Sequence, residues 1–151
     1  FVPQGGDQVR KRIGSAILAL WMLIAAGCGS LGPSGPQQQF LQTFALEIDP
    51  TSIQAEERYD SYGFHGDGIA LYVLTFSQDC TDAFASWQSL PLSEESTEFL
   101  EGIRTYVELP QITRGKWALV DRSPEEARLT NVSFCMYGLD ARTAYFVTVD
   151  T

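Results

Sequence analysis

The sequence predicts an α+β domain: an antiparallel sheet of about four to five strands with two helices packed on one face. Three observations carry this. NVSFCMYGLD and TAYFVTVD, near the C-terminus, alternate apolar and polar residues with the period of a half-buried strand. IALYVLTF, residues 69–76, is apolar on both faces and reads as a central strand. Between these strands lie two segments that combine a capping residue with an apolar stripe at helical spacing. Strands, then helices, then strands is the order of an α+β domain rather than of alternating βαβ units.

Each element has its own reason. FLQTFALEI, residues 40–48, alternates and is expected as the first strand, and YDSYGFHGDG is a glycine-punctuated loop leading into the central strand. Asp79 is placed to cap a helix in which Cys80, Ala83, Phe84 and Trp87 stand at i, i+3, i+4 and i+7. SLPL ends it. Ser93 caps a second helix, with Glu94 and Glu95 in the first turn where the dipole favours carboxylates, and with Phe99, Leu100 and Ile103 facing inward. KWALVD is a short strand. SPEEAR then reads as a helical turn capped by Ser123, with Pro124 at its first position and Glu126 completing a capping box. Asp140-Ala141-Arg142 joins the last two strands as a hairpin.

The 151 residues divide into four stretches. Residues 9–27 have the order of a secretory signal: RKR as a positive start, the apolar run of residues 13–26, and the small-residue cluster AAGC. That run is short of the ~20 residues needed to span a bilayer core, and it has no polar face with which to sit on a domain. IAAGC resembles the lipobox of bacterial lipoproteins, in which the cysteine thiol receives a diacylglyceryl group and becomes the mature N-terminus. Cys28 is the matching cysteine. Ala25 stands where that pattern prefers Leu, and Gly29 follows the cysteine. Residues 1–8 do not read as a signal, whereas a start at Val9 would give a normal one, so they are taken as upstream sequence. GSLGPSGPQQQ follows Cys28 and has linker composition, so residues 28–39 are expected as a flexible tether and residues 40–151 as a single domain.

Charge narrows the partners. From Cys28 onward there are 7 Lys and Arg against 18 Asp and Glu. Such a body repels phosphate backbones and anionic head groups, which argues against nucleic acid and against a basic membrane-surface patch. The expected partners are the membrane, through the lipid anchor, and a protein or cell-wall component. The expected location is outside the cytoplasm, on the membrane.

YGFHGDGIALYVLTF, SWQSLPLS, GKWALVDRS and NVSFCMYGLDARTAYFVTVDT resemble, in this order, segments of a group of small secreted or lipid-anchored proteins from Firmicutes. The likeness runs roughly over residues 59–151. It departs from the group's pattern at Ser123, where a histidine is expected after the Asp-Arg pair. The resemblance implies an extracytoplasmic domain and carries no activity.

Candidate chemistry is sparse. His65, the chain's one histidine, lies in GFHGDG with Asp67 two residues on. This pair could hold a general base, an anion or a metal, which would make the protein a small hydrolase or metal-dependent enzyme. The glycines equally suit a tight turn before a buried strand, with His65 bonded to the turn's own backbone. No phosphate-loop, nucleophile-elbow or metal-ligand spacing appears, and no cofactor is expected. Asp121 and Arg122 close a strand, where they could form an ion pair or touch a ligand. Cys80 and Cys135 suit either a helix-to-sheet disulfide in an exported domain or two small buried hydrophobes. Trp87, Trp117, Tyr137 and Tyr145 read as core and sheet-face aromatics. The best-supported function is a non-catalytic binding domain on a membrane tether.

Overall fold

A computed structural model describes residues 35–151. Its elements run α1 (Pro36–Thr43), a 3₁₀ turn (Pro50–Ser52), β1 (Ile53–Asp60), β2 (Gly68–Phe76), a second 3₁₀ turn (Thr81–Phe84), β3 (Gln88–Ser89), α2 (Glu94–Ile103), β4 (Gly115–Asp121), β5 (Val132–Gly138) and β6 (Thr143–Asp150). The six strands form one antiparallel sheet in the order β1-β2-β6-β5-β4-β3, so the fold is α+β with more strands than expected. No helix among the described residues is long and apolar enough to cross a membrane. Cys28 and the signal-like stretch lie outside the described residues.

Residues 40–48 are not a strand. The chain turns helical at Pro36, inside the stretch expected as linker, and Pro36 suits the first helical position because it has no N–H to leave unpaired. Phe40 and Leu41 then share one side of α1 with Phe44 at its C-terminal cap, and the two phenylalanine rings pack on Phe146 of the sheet. The helix closes in a Schellman motif. Leu46 N–H donates to Leu41 C=O at 2.9 Å and Ala45 N–H to Gln42 C=O at 3.3 Å, with Ala45 left-handed at φ 52°.

β1 has no counterpart in the sequence expectations. It is the sheet's edge, carries Glu56, Glu57 and Arg58, and is bulged between Glu57 and Tyr59. Charge and a bulge are two devices that keep an exposed edge from pairing with other chains. β2 lies inside the sheet, between β1 and β6, as expected of its apolar run.

The helix expected from Asp79 is a single 3₁₀ turn. Asp79 accepts the Thr81 backbone N–H at 2.9 Å, as a cap would, but by Gln88 the chain has joined β4 as an edge strand, which leaves no room for an α-helix of the expected length. Its stripe is buried all the same: Cys80, Phe84 and Trp87 all lie in the core. α2 follows the expectation closely, with the Ser93 side chain accepting the Ser96 N–H and with Phe99 and Ile103 buried. SPEEAR makes one turn, Ala127 N–H to Pro124 C=O, and no helix. The β5–β6 loop spans residues 139–142, with Arg142 left-handed.

The helices lie on opposite faces, not on one. Alternation along β5 sends Cys135 and Tyr137 to the α1 face and Phe134 and Met136 to the α2 face. On the first face Phe40, Phe44, Phe76, Phe84, Trp87, Tyr137 and Phe146 form an aromatic cluster, with Phe84 stacked on Tyr137 at 4.2 Å. On the second, Phe99 and Ile103 pack with Trp117, Val132, Phe134, Val147 and Val149. β5 is buried throughout its length because both of its faces are covered.

Of the two readings open for Cys80 and Cys135, the structure has the second: no bridge joins them, and both are free and buried. They share a core layer, but Cys80 stands beside Tyr137, one same-face step along β5 from Cys135. Burial pushes both thiols up, Cys135 most of all, so each serves as a small apolar residue.

Candidate functional site

Register brings three separate sequence motifs to one end of the sheet. Gly68, the first residue of β2, stands opposite Asp150, the last of β6. Val132 at the start of β5 pairs with Val149 on one side and with Asp121 at the end of β4 on the other. The GFHGDG turn, the Asp121-Arg122 loop and the C-terminal strand end are therefore neighbours.

The turn is built from backbone. Gly66 N–H donates to Gly63 C=O and Gly63 N–H to Asp67 C=O, each at 3.1 Å, and Gly66 is left-handed at φ 83°. A Cβ on Gly68 would stand 2.5 Å from Tyr62 Cα, so the two sides of the turn touch through a glycine. His65 and Asp67 are exposed, and neither side chain makes a hydrogen bond among the described residues. The expectation that His65 bonds the turn's own backbone does not hold, because the main chain already closes the turn by itself. Nor do His65 and Asp67 join other ligands: no three His, Cys, Asp or Glu side chains among the described residues are placed to hold a metal. What the turn does present is Phe64, fully exposed beside His65, with ring centroids 5.7 Å apart.

Below the turn lies a polar network. Ser133 and Thr148 face each other on β5 and β6, both buried, on the α1 face of the sheet. Arg122 Nη1 donates to Ser133 Oγ at 2.8 Å and Nη2 to Asp150 Oδ1 at 3.2 Å. The other carboxylate oxygen of Asp150 accepts the Tyr62 hydroxyl at 2.7 Å, and that hydroxyl lies 3.0 Å from Thr148 Oγ1. Asp150 thus ties the root of the GFHGDG turn to the Asp121-Arg122 loop. Burial holds the Tyr62 phenol well above its ordinary value, so it remains a neutral donor.

Asp121 and Arg122 do different work. Arg122 pairs with Asp150, a half-exposed ion pair that contributes positioning more than stability. Asp121 accepts the backbone N–H groups of Ser123 at 2.9 Å and Leu129 at 3.2 Å, clamping the loop that follows β4. Ser123 Oγ accepts the N–H groups of Thr130 and Asn131, both at 2.8 Å, which leaves its own proton for Asp121. Hydrogen bonds from the Ser123 side chain, and then from backbone, hold the Asp121 carboxyl below the usual range. Ser123, where the resembling proteins are expected to carry a histidine, is the hub of this loop.

Tyr62, Phe64, Ser133, Thr148 and Asp150 were not singled out by sequence reasoning. All five lie inside the segments that carry the resemblance, and the register that gathers them is a long-range property.

Searches of the chain against protein families, curated proteins and solved structures find no match.

Proposed function

We propose that this protein is a membrane-tethered, extracytoplasmic binding domain, lipidated at Cys28, that meets a protein or cell-wall partner through the GFHGDG turn. The tether reading rests on the order of charged, apolar and small residues before Cys28 and on the resemblance to lipid-anchored proteins of Firmicutes. One observation carries the binding reading. Phe64 is 101% exposed on a turn whose conformation is fixed by its own backbone and whose root is held by Asp150 and Arg122. A single aromatic on a rigid tip is the kind of residue that dominates interface energetics, because little freedom is lost when it docks. His65 and Asp67 flank it as a polar rim.

Site-specific photo-crosslinking in cells tests this. A crosslinker at position 64 of the membrane-bound protein should yield one discrete adduct, whereas the same group at Glu101 on the exposed side of α2 should yield none. Asp150→Asn combined with Arg122→Gln should weaken the adduct while leaving the domain folded. Equal adducts from both positions, or none from position 64, would overturn the proposed contact.

A further inference from the structure

The start of the domain and the GFHGDG turn belong to opposite ends of the sheet. α1, the first described element, begins beside the start of β1. Gln37 Nε2 donates to Ile53 C=O at 3.5 Å, and Phe40 packs on Phe76, the residue opposite Ile53, with ring centroids 6.2 Å apart. The chain before Gly35 therefore joins the domain at the end where β1 starts and β2 stops. The turn lies at the other end, between Asp60 and Gly68. From Ile53 to Asp60 an extended strand rises about 23 Å, and Phe64 follows beyond it.

Charge is graded in the same direction. β1, β4 and β6 all run toward the turn, and each ends in an aspartate: Asp60, Asp121 and Asp150. Arg122 is set against Asp150, and Asp67 in the turn adds a further carboxylate. At the opposite end Arg114, Lys116 and Arg142 flank the starts of β4 and β6, where they offset acids such as Asp79 and Asp140. That end approaches anionic head groups at lower cost than the turn end does.

We infer that the anchored domain presents the GFHGDG turn away from its own membrane, to a partner protein that stands off that membrane and offers a basic surface with an apolar recess for Phe64. This rests on lipidation at Cys28 and on contact through Phe64. Residues 28–34 reach at most about 25 Å, close to the rise of β1, so tether and strand together carry the turn well clear of the lipid. A partner in the same leaflet could be met only with the domain laid on its side and its aspartates brought to the head groups. Protein side chains supply both a recess that buries a phenyl ring and the cations that complement the aspartates around it.

Two measurements on the mature chain lipidated at Cys28 test this. The first uses vesicles of phosphatidylcholine and phosphatidylglycerol with an energy acceptor on the head groups. A fluorescent residue at position 38, exposed on α1, should be quenched at least about twice as strongly as one at position 64, at the far end of the β1–β2 hairpin. Equal quenching, or stronger quenching at position 64, would overturn the orientation. The second is made in cells. Removing residues 30–34 draws the turn in by about 17 Å and should lose most of the position-64 crosslinked adduct while Cys28 keeps its lipid. The parent adduct should be degraded by protease and survive glycan hydrolase. An adduct that the shortening leaves unchanged or strengthens would put the partner in the same membrane, and one released by glycan hydrolase would make it a wall polymer; either overturns the inference. A chain that does not float with the vesicles defeats the tether reading, and a parent chain without an adduct defeats the Phe64 contact, and this inference falls with each. Strong quenching at position 64 of a chain that both floats and crosslinks defeats the orientation alone.

Discussion

His65 illustrates how a single residue changes meaning once it is placed. With its side chain in solvent and the turn closed by main chain, His65→Ala should shift unfolding free energy by less than about 0.5 kcal/mol. Tyr62→Phe, three residues earlier in the same loop, should cost about 1 kcal/mol, because it removes the proton shared with Asp150 and Thr148. Urea unfolding of the two variants beside the parent protein separates them. Asp121 makes the corresponding statement about pH. Its carboxyl titrates below the usual range in the folded domain, through the Ser123 side chain and backbone donors. A depressed carboxyl contributes stability that is complete above the unfolded pKa of about 4 and is lost as pH falls through the folded value. Asp49 and Asp79 are lowered in the same direction by Thr51 and Thr81. Stability should therefore fall as pH drops below about 4, and Asp121→Asn should flatten that fall, as read from urea midpoints across an acid series.

At the scale of elements, what could be read was what is written locally. α2 has a serine cap, glutamates in its first turn and an apolar stripe, and each is present as expected. β2, β5 and β6 were legible for the same reason: their apolar runs match burial on the sheet. α1 was not legible. Phe40 and Phe44 fit either an alternating strand or one face of a helix, and Ala45 occupies the left-handed position where a glycine would have announced the helix end. β1 was missed because IQAEERYD is an edge whose charges face water on both sides, which leaves no alternation to find. The apolar stripe of residues 80–87 was right about burial and wrong about length, since the β3–β4 pairing from Gln88 sets the backbone instead. Ala45 also yields a direct prediction. An alanine at φ 52° costs about 1 kcal/mol relative to glycine, and its side chain is exposed, so Ala45→Gly should raise the melting temperature by about 4 °C. A thermal melt that falls on this substitution would show that α1 does not end in the left-handed turn.

For the whole molecule, the consequential finding is a sheet covered on both faces, with α1 and the aromatic cluster on one side and α2, with Leu109 and Ile112 of the segment that follows it, on the other. The number of strands, and the separation of the helices onto two faces, depend on long-range pairing that no local pattern encodes. The gathering of the GFHGDG, Asp121-Arg122 and C-terminal motifs at one end has the same origin. The mature protein, denatured without reductant, should titrate two free thiols, and a count of none would show that they pair on export. The central claim is that this domain works at a membrane through Cys28, and the mass of the mature N-terminus reads it most directly. Protein extracted from membranes should begin at Cys28 and carry a diacylglyceryl group on that cysteine. A mature chain found in the medium, starting at Cys28 with a free thiol or elsewhere in the signal-like stretch, would contradict it.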